Sequence, residues 1–273
     1  MALQDKPGPT VGRGSLERTR PAKMVEHGNY LYCLIEGSDT RNFGPIGIGG
    51  PGDEVTTISY QGLSAVISNV PLNRYVVSRE TMTRHEKVIE EVMKNSTVLP
   101  VRFYTVAPSV DEIRTLLKKR YAEFKSLFRY LDNKVELGLR ALWTDIEAVF
   151  REIVEEDAEA KALREKMARS SSRQADAAKR ALGARMKALL EEKKAQDGER
   201  LVAPLRRISV DVRLNKTHGD DMICNAAFLV DRRWEREFDT QVDELMATQG
   251  DRVKFIYVGP APPYSFVNVV VNQ

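Results

Sequence analysis

From Asn29 onward the apolar residues fall into two rhythms, tight runs that suit strands and spacings of three and four that suit helices. Residues 1–28 hold Pro, Gly, Arg, Lys and Thr with almost no apolar pattern, which predicts a flexible tail, since such a stretch cannot bury enough to offset its ordering entropy. NYLYCLIE at 29–36 packs apolar residues as a buried strand does, and GSDTRNFGPIGIGGPGD after it is a loop by its Gly and Pro density. EVTTISY and LSAVISNV, separated by Gln61-Gly62, predict a tight two-stranded hairpin. Ser78 is placed to cap a helix to Lys94, with Met82, His85, Val88, Ile89 and Val92 on one face. TVLPVRFYTV is extended, with Pro100 interrupting any ladder at its middle. Ser109 then caps a second helix, with Glu112 at the capping-box position and Ile113, Leu116, Leu117, Phe124 and Leu127 apolar, ending near Asp132-Asn133. Residues 29–132 thus predict a mixed α+β domain.

The pattern restarts at Lys134. KVELGLRALW is a strand, and Thr144 is the expected cap of a helix through Ile146, Val149, Phe150 and Ile153. A charged tract follows to about Arg200, whose apolar positions (Ile153, Ala160, Leu163, Met167, then Ala175, Ala178, Leu182, Met186, Leu189) keep the narrow seam of a coiled coil. Ser170-Ser171-Ser172 interrupts the repeat, which allows either an antiparallel helical hairpin or one long helix. RISVDVRLN alternates through Ile208, Val210, Val212 and Leu214 as a half-buried strand, MICNAAFLV is a continuous buried strand, and RVKFIYV is another. Between the last two, an amphipathic helix capped by Asp231 turns Trp234, Phe238, Val242, Leu245 and Met246 inward. The fold class is therefore α+β in two domains, with residues 133–273 forming a modified ferredoxin-like unit whose first crossover carries a helical coiled-coil excursion at about 155–200.

Composition narrows the function classes. Of 273 residues, 42% are hydrophobic and 30% charged, and no apolar run approaches the roughly 18–20 residues of a membrane span. Lys and Arg number 42 against 39 Asp and Glu, a net charge of +3 too mild to demand a nucleic-acid partner. Cys33 and Cys224 lie far apart in apolar stretches, which suits structural thiols in a reducing compartment. The start has no apolar core for a signal peptide, so the expectation is a soluble, cytoplasmic protein.

Motifs for chemistry are incomplete. GPIGIGG invites a phosphate-loop reading but matches neither GxxxxGK[ST] nor GxGxxG. His85-Glu86 opens a zinc-protease pattern, yet position 89 is Ile, and the other His, His27 and His218, are distant. There is no GxSxG elbow and neither Cys has a neighbouring His. The expectation is no enzyme, no cofactor and no stoichiometric metal or nucleotide. A small-molecule- or RNA-binding module of ferredoxin-like type is the alternative function class.

Three segments together resemble the gas vesicle protein F/L family (GvpF/GvpL): YLYCLIEG with its Gly-rich loop and the hairpin VTTISYQGLSAVISNVP; the His85-Glu86 helix running into STVLPVRFYTV; and NAAFLVD followed by YVGPAPPYSFVNVVV. Tyr104 stands where the family pattern has Gly. The resemblance implies an accessory or minor structural component of gas vesicles, without catalysis, that binds the small hydrophobic shell-forming protein and other accessory proteins during assembly. It also implies a two-domain α+β structure with a modified ferredoxin fold at its C-terminal end.

The candidate interaction residues are Glu86, Arg102, Phe103, Tyr264 and Phe266. Arg102 lies in an apolar strand and predicts either a buried pair, with Glu86 favoured over Glu90, or a cation facing water from an edge strand. GPAPPY predicts a rigid extended run. After it Phe266, Asn268 and Val270 face one way and Val267, Val269 and Val271 the other, with Tyr264 and Phe266 anchoring a contact between the domains. Shell-protein recognition is expected on residues 29–132 through an open sheet edge, and contacts with other accessory proteins on the coiled coil.

Overall fold

The computed structural model describes residues 27–71, 77–169, 172–267 and 269. The described residues form a mixed α+β protein with two antiparallel sheets and seven α-helices. The predicted tail lies outside the described residues except His27 and Gly28, which already belong to the first strand.

The N-terminal sheet has five strands: β1 (His27–Glu36), β2 (Asn42–Gly44), β3 (Val55–Tyr60), β4 (Leu63–Pro71) and β5 (Val98–Ala107), in the order β2-β3-β4-β1-β5. The β3–β4 hairpin forms as the sequence predicts. Gln61 (φ 46°) and Gly62 (φ 82°) both adopt the left-handed backbone that a two-residue hairpin turn demands. The predicted loop after β1 contains β2, a three-residue strand too short to announce itself by alternation.

A bulge at Tyr32 sets the faces of β1. Leu31 pairs with Ile67 and Cys33 with Val66, so Tyr32 has no opposite number on β4. Side-chain alternation therefore skips a beat. Tyr30, Tyr32, Cys33 and Ile35 join one core under α1 (Arg79–Met93), with Val88, Ile89 and Val92. Leu31 and Leu34 join another, under α2 (Val110–Lys119) and α3 (Tyr121–Leu131). Ser78 caps α1 in a reciprocal box with Thr81. Met82, expected inward, is 45% exposed. The single helix predicted over 109–132 is two, broken at Arg120 (φ −106°, ψ 19°), whose guanidinium binds Glu123 at 2.6 and 2.8 Å and covers the Phe124 ring at 4.8 Å.

The C-terminal sheet holds β6 (Lys134–Trp143), β7 (Asp211–Leu214), β8 (Met222–Asp231) and β9 (Val253–Ala261), ordered β7-β8-β6-β9 with every neighbouring pair antiparallel. On one face Val135, Leu137, Leu139, Phe228 and Val230 pack against α4 (Ile146–Glu156), α6 (Ser172–Arg206) and α7 (Glu235–Gln249). Asp145, not Thr144, caps α4 by accepting from Ala148 N–H, while Thr144 Oγ1 donates to the Asp251 and Arg252 carbonyls. The α6 helix runs through Pro204 to Arg206 because Leu201, Val202 and Leu205 are buried in this core, which postpones the predicted strand from 208 to Asp211. Trp234 sits in a short 3-10 turn ahead of α7 and is 54% exposed rather than inward.

The charged tract folds back on itself. Asp157 separates α4 from α5 (Ala158–Arg169), caps α5 through Ala160 N–H at 2.7 Å, and accepts from Arg185 of α6 at 2.6 Å. Arg185 also reaches Glu159, so α5 and α6 run antiparallel with Ala160 and Ala178 buried between them. Of the predicted turn, Ser170 and Ser171 lie outside the described residues.

β8 is buried on both sides. Ala227 and Leu229 leave the C-terminal core and join Leu31, Leu99, Phe124, Phe128 and Leu131 in the N-terminal one, together with Phe266, Val267 and Val269. The two halves thus share a core.

Candidate functional site

β5 is positioned by what it lacks. As β1 advances from Leu31 to Cys33, its partner on β5 jumps from Thr105 to Pro100, so Val101–Tyr104 carries no pairing with β1. Pro100 sits where this bulge begins, consistent with its missing N–H. Tyr104 is held at φ 66°, in the left-handed backbone region that favours Gly. Its N–H donates to the Tyr30 hydroxyl at 3.0 Å, which pins the bulge to β1.

The Tyr30 hydroxyl in turn reaches His85 Nδ1 of α1 at 3.0 Å. The contact ties α1 to β1. His85 stacks on Tyr32 at 5.7 Å and meets Phe103 edge-on at 5.5 Å. Burial pulls its pKa from 6.5 down to about 4, with the Val101 backbone opposing.

Above this aromatic floor, α1, the β5 bulge and the C-terminal turn enclose a groove of about 390 Å³ lined by Met82, Glu86, Arg102, Phe103, Tyr264 and Val267 among others. Met82, Tyr104 and Tyr264 present large apolar side chains to water, at 45%, 46% and 41% exposure. Four of the five candidate residues, Glu86, Arg102, Phe103 and Tyr264, therefore meet around one groove. Phe266 lies beside it in the shared core, 9% exposed, with the Arg213 guanidinium 6.0 Å from its ring.

The buried Arg102 pair does not form. Arg102 is exposed, and among the described residues no ion pair joins it to Glu86. The edge position of β5 lets its long chain keep the charge in water. GPAPPY is not a straight rod either. β9 continues to Ala261, and the chain then turns, with Tyr264 N–H donating to the Pro262 carbonyl at 2.7 Å. Tyr264 consequently borders the groove and Phe266 is the anchor. Of the predicted C-terminal alternation, Asn268, Val270 and Val271 lie outside the described residues. Tyr30, Tyr32 and Met82 belong to the site without having been singled out for it, since a bulge cannot be read from alternation alone.

The Gly-rich loop is occupied by its own carboxylate. Asp53 accepts from Gly49 N–H at 2.8 Å and Ser68 Oγ–H at 2.9 Å, and its carbonyl accepts from Gly47 N–H at 2.9 Å. Ile48 N–H donates to the Tyr32 hydroxyl, which is bonded to Ser68. The amides that would cradle a phosphate are spent internally. The described His, Cys, Asp and Glu side chains form no group of three able to hold a metal. Cys33 and Cys224 are buried and free; burial raises both thiols, Cys224 to about 11, so neither is a ready thiolate. No helix among the described residues is long and apolar enough to cross a membrane.

Comparison with known proteins gives a consistent result. Residues 28–268 match the family described as gas vesicle synthesis protein GvpL/GvpF. Gas vesicle protein F of Streptomyces sp. (strain CB03234) is 31% identical, covering 81% of this chain and 91% of its own. Gas vesicle protein F1 of Halobacterium salinarum is 25% identical over 89% and 94%. The crystal structure of GvpF from Anabaena sp. PCC7120 superposes with a TM-score of 0.76 at 24% identity, covering 89% of this chain and 99% of that one. GvpF from Microcystis aeruginosa gives 0.72 at 24% identity, over 88% and 98%.

Proposed function

This chain belongs to the GvpL/GvpF family of gas vesicle synthesis proteins and has a role in gas vesicle formation; from that premise we propose that it acts in the cytoplasm by binding the small hydrophobic shell-forming protein. The observation that carries this reading is the groove between α1 and β5. It combines an aromatic floor, two large apolar side chains left in water, Met82 and Tyr264, and an edge strand with a bulge, which are the features a hydrophobic partner needs for side-chain anchoring and β-addition. Residues 29–132, the half we read as carrying shell-protein recognition, supply its lining from Met82 to Phe103, and Tyr264 and Val267 close it from the C-terminal half.

The C-terminal half is read as a modified ferredoxin-like unit, supported by a β6-α4-β7-β8-α7-β9 order, interrupted by the α5 and α6 excursion after α4, with β8 between β6 and β7. Its α5–α6 hairpin, charged on the outside, is the surface assigned to other accessory proteins. Co-purification of the shell-forming protein with the full chain tests the reading. Met82→Glu and Tyr264→Glu place charge on the exposed groove rim and are expected to reduce capture severalfold while the protein stays folded. Undiminished capture by both variants overturns the assignment of the groove.

A further inference from the structure

An open sheet edge is a template for another strand, and native proteins cover or interrupt such edges. The two edges of the C-terminal sheet differ in this respect. β9 carries Pro260 within the strand, which removes a donor. β7 carries no Pro, and among the described residues it pairs with β8 alone.

The register of β7 fixes which of its amides face outward. Asp211 stands opposite Leu229 and Leu214 opposite Ala226, and Asn215 N–H donates to the Asn225 carbonyl at 2.7 Å in the same register. Antiparallel pairs alternate between bonded and non-bonded, so Asp211, Arg213 and Asn215 turn their amides to β8 while Val212 and Leu214 turn theirs away. The Val212 N–H is met by the carboxylate of its own neighbour Asp211 at 2.8 Å. Val210 and Leu214, at the two ends, are apolar and 52% and 64% exposed. On the other face of the strand Asp211 and Arg213 lie side by side, 3.6 Å apart.

We infer that β7 is a self-association edge, which takes the β7 of a second copy of this chain, antiparallel, about a two-fold axis at Val212. The strand is self-complementary in that register. With Val212 opposite Val212, Asp211 faces Arg213 of the second copy and Val210 faces Leu214, and the symmetry repeats both pairs. The charged pair falls at a non-bonded position, where cross-strand side chains come closest. Moving the axis one residue to Arg213 sets two guanidiniums against each other, which repels. As the incoming guanidinium takes the Asp211 carboxylate, the Val212 N–H is released to donate to the Val212 carbonyl of the second copy. So short a strand buries little surface, so the association is weak and shows at high local concentration. The contact lies on the other sheet from β5 and does not depend on the groove reading.

Sedimentation velocity of the full chain over a concentration series reads the association, and urea unfolding confirms that each variant is folded. Arg213→Asp and Asp211→Arg each set like charges opposite and are expected to weaken self-association about tenfold. An equimolar mixture of the two is expected to restore it, since every cross-strand pair again joins opposite signs. Asp211 also accepts from the Tyr130 hydroxyl at 2.8 Å, so a second measurement leaves it in place. Val210→Cys/Leu214→Cys changes two exposed side chains, and the native Cys33 and Cys224 are buried. Within one chain the two positions lie about 13 Å apart along the strand, beyond disulfide reach, whereas between copies they meet. Oxidation is expected to give a covalent dimer from the double variant and not from either single one. Should a charge variant fail to fold, this crosslink decides alone. A full chain that stays monomeric throughout, with no covalent dimer, overturns the inference. Association that both charge variants keep overturns it as well, by placing the contact on another face. Either result leaves the shell-protein reading untouched.

Discussion

At Gly47 the backbone comes so close to Asp53 that a Cβ would fall within the carboxylate and 2.8 Å from the Asp53 carbonyl oxygen. The Gly-rich loop is thus built by contact with its own anion. Gly47→Ala is expected to destabilise the fold by about 1–3 kcal/mol through overpacking, read as a lower urea midpoint. Tyr104 is the converse case, a bulky residue at φ 66° where Gly costs nothing; Tyr104→Gly is expected to raise stability by about 1 kcal/mol, measured the same way. His85 gives the molecule an acid sensitivity. Its folded pKa lies below its unfolded value, so its contribution is complete above about pH 6.5 and is lost as pH falls through about 4. Between about pH 7.5 and about pH 4.5 the unfolding free energy should drop by about 2–3 kcal/mol on this account, and His85→Gln should flatten that part of the profile. A profile unchanged by the substitution removes His85 as the cause. None of these three positions could be weighed from sequence alone. His85 is apolar-facing in the helical pattern, but its tyrosine partner sits 55 residues away, across a bulge.

At the scale of elements, most of the fold was legible because periodicity reports burial. The hairpin, α1, β6 and β8 stand close to where alternation and spacing put them. The misses share a cause: the pattern persists where the backbone changes. Leu117 and Phe124 are seven residues apart, two helical turns, so the break at Arg120 leaves the apolar rhythm intact. Leu201, Val202 and Leu205 keep helical spacing across Pro204, and burial outweighs the lost hydrogen bond. Trp234 is in phase with Phe238 yet precedes the helix proper. The hairpin of α5 on α6 was readable as a seam, but not the ion pairs that fix its register. Arg185 is the clamp, bound to Asp157 and Glu159 from across the seam. Arg185→Ala is expected to speed amide exchange in the first turns of α5 while α7 keeps its protection. Equal protection of α5 in both proteins would mean that the apolar seam alone sets the pairing.

At the scale of the whole molecule, the sequence announces β8 as buried but not what buries it. A continuous apolar run says that both faces are covered. Only the assembled structure shows that one face serves the C-terminal helices through Phe228 and Val230, and the other closes the N-terminal core through Ala227 and Leu229. Glu136 to Ser265 and Tyr130 to Asp211 add polar ties in the same region. The four groove residues met for this reason: the C-terminal turn crosses back over β5, a fact with no local signal in GPAPPY. The shared core predicts that the halves unfold together. Leu229→Ala should remove about 2–5 kcal/mol, as large-to-small changes at fully buried sites do. Both tryptophans, Trp143 and Trp234, lie in the C-terminal half, so fluorescence reports that half and amide exchange of β1 and β4 reports the other. With one cooperative unit, Leu229→Ala shifts the fluorescence transition and lowers β1 and β4 protection by the same free energy. Phe228→Ala, which opens only the C-terminal core, should do so equally if coupling is complete. A variant that moves the fluorescence transition and leaves β1 and β4 untouched would show two energetically separate domains resting against each other.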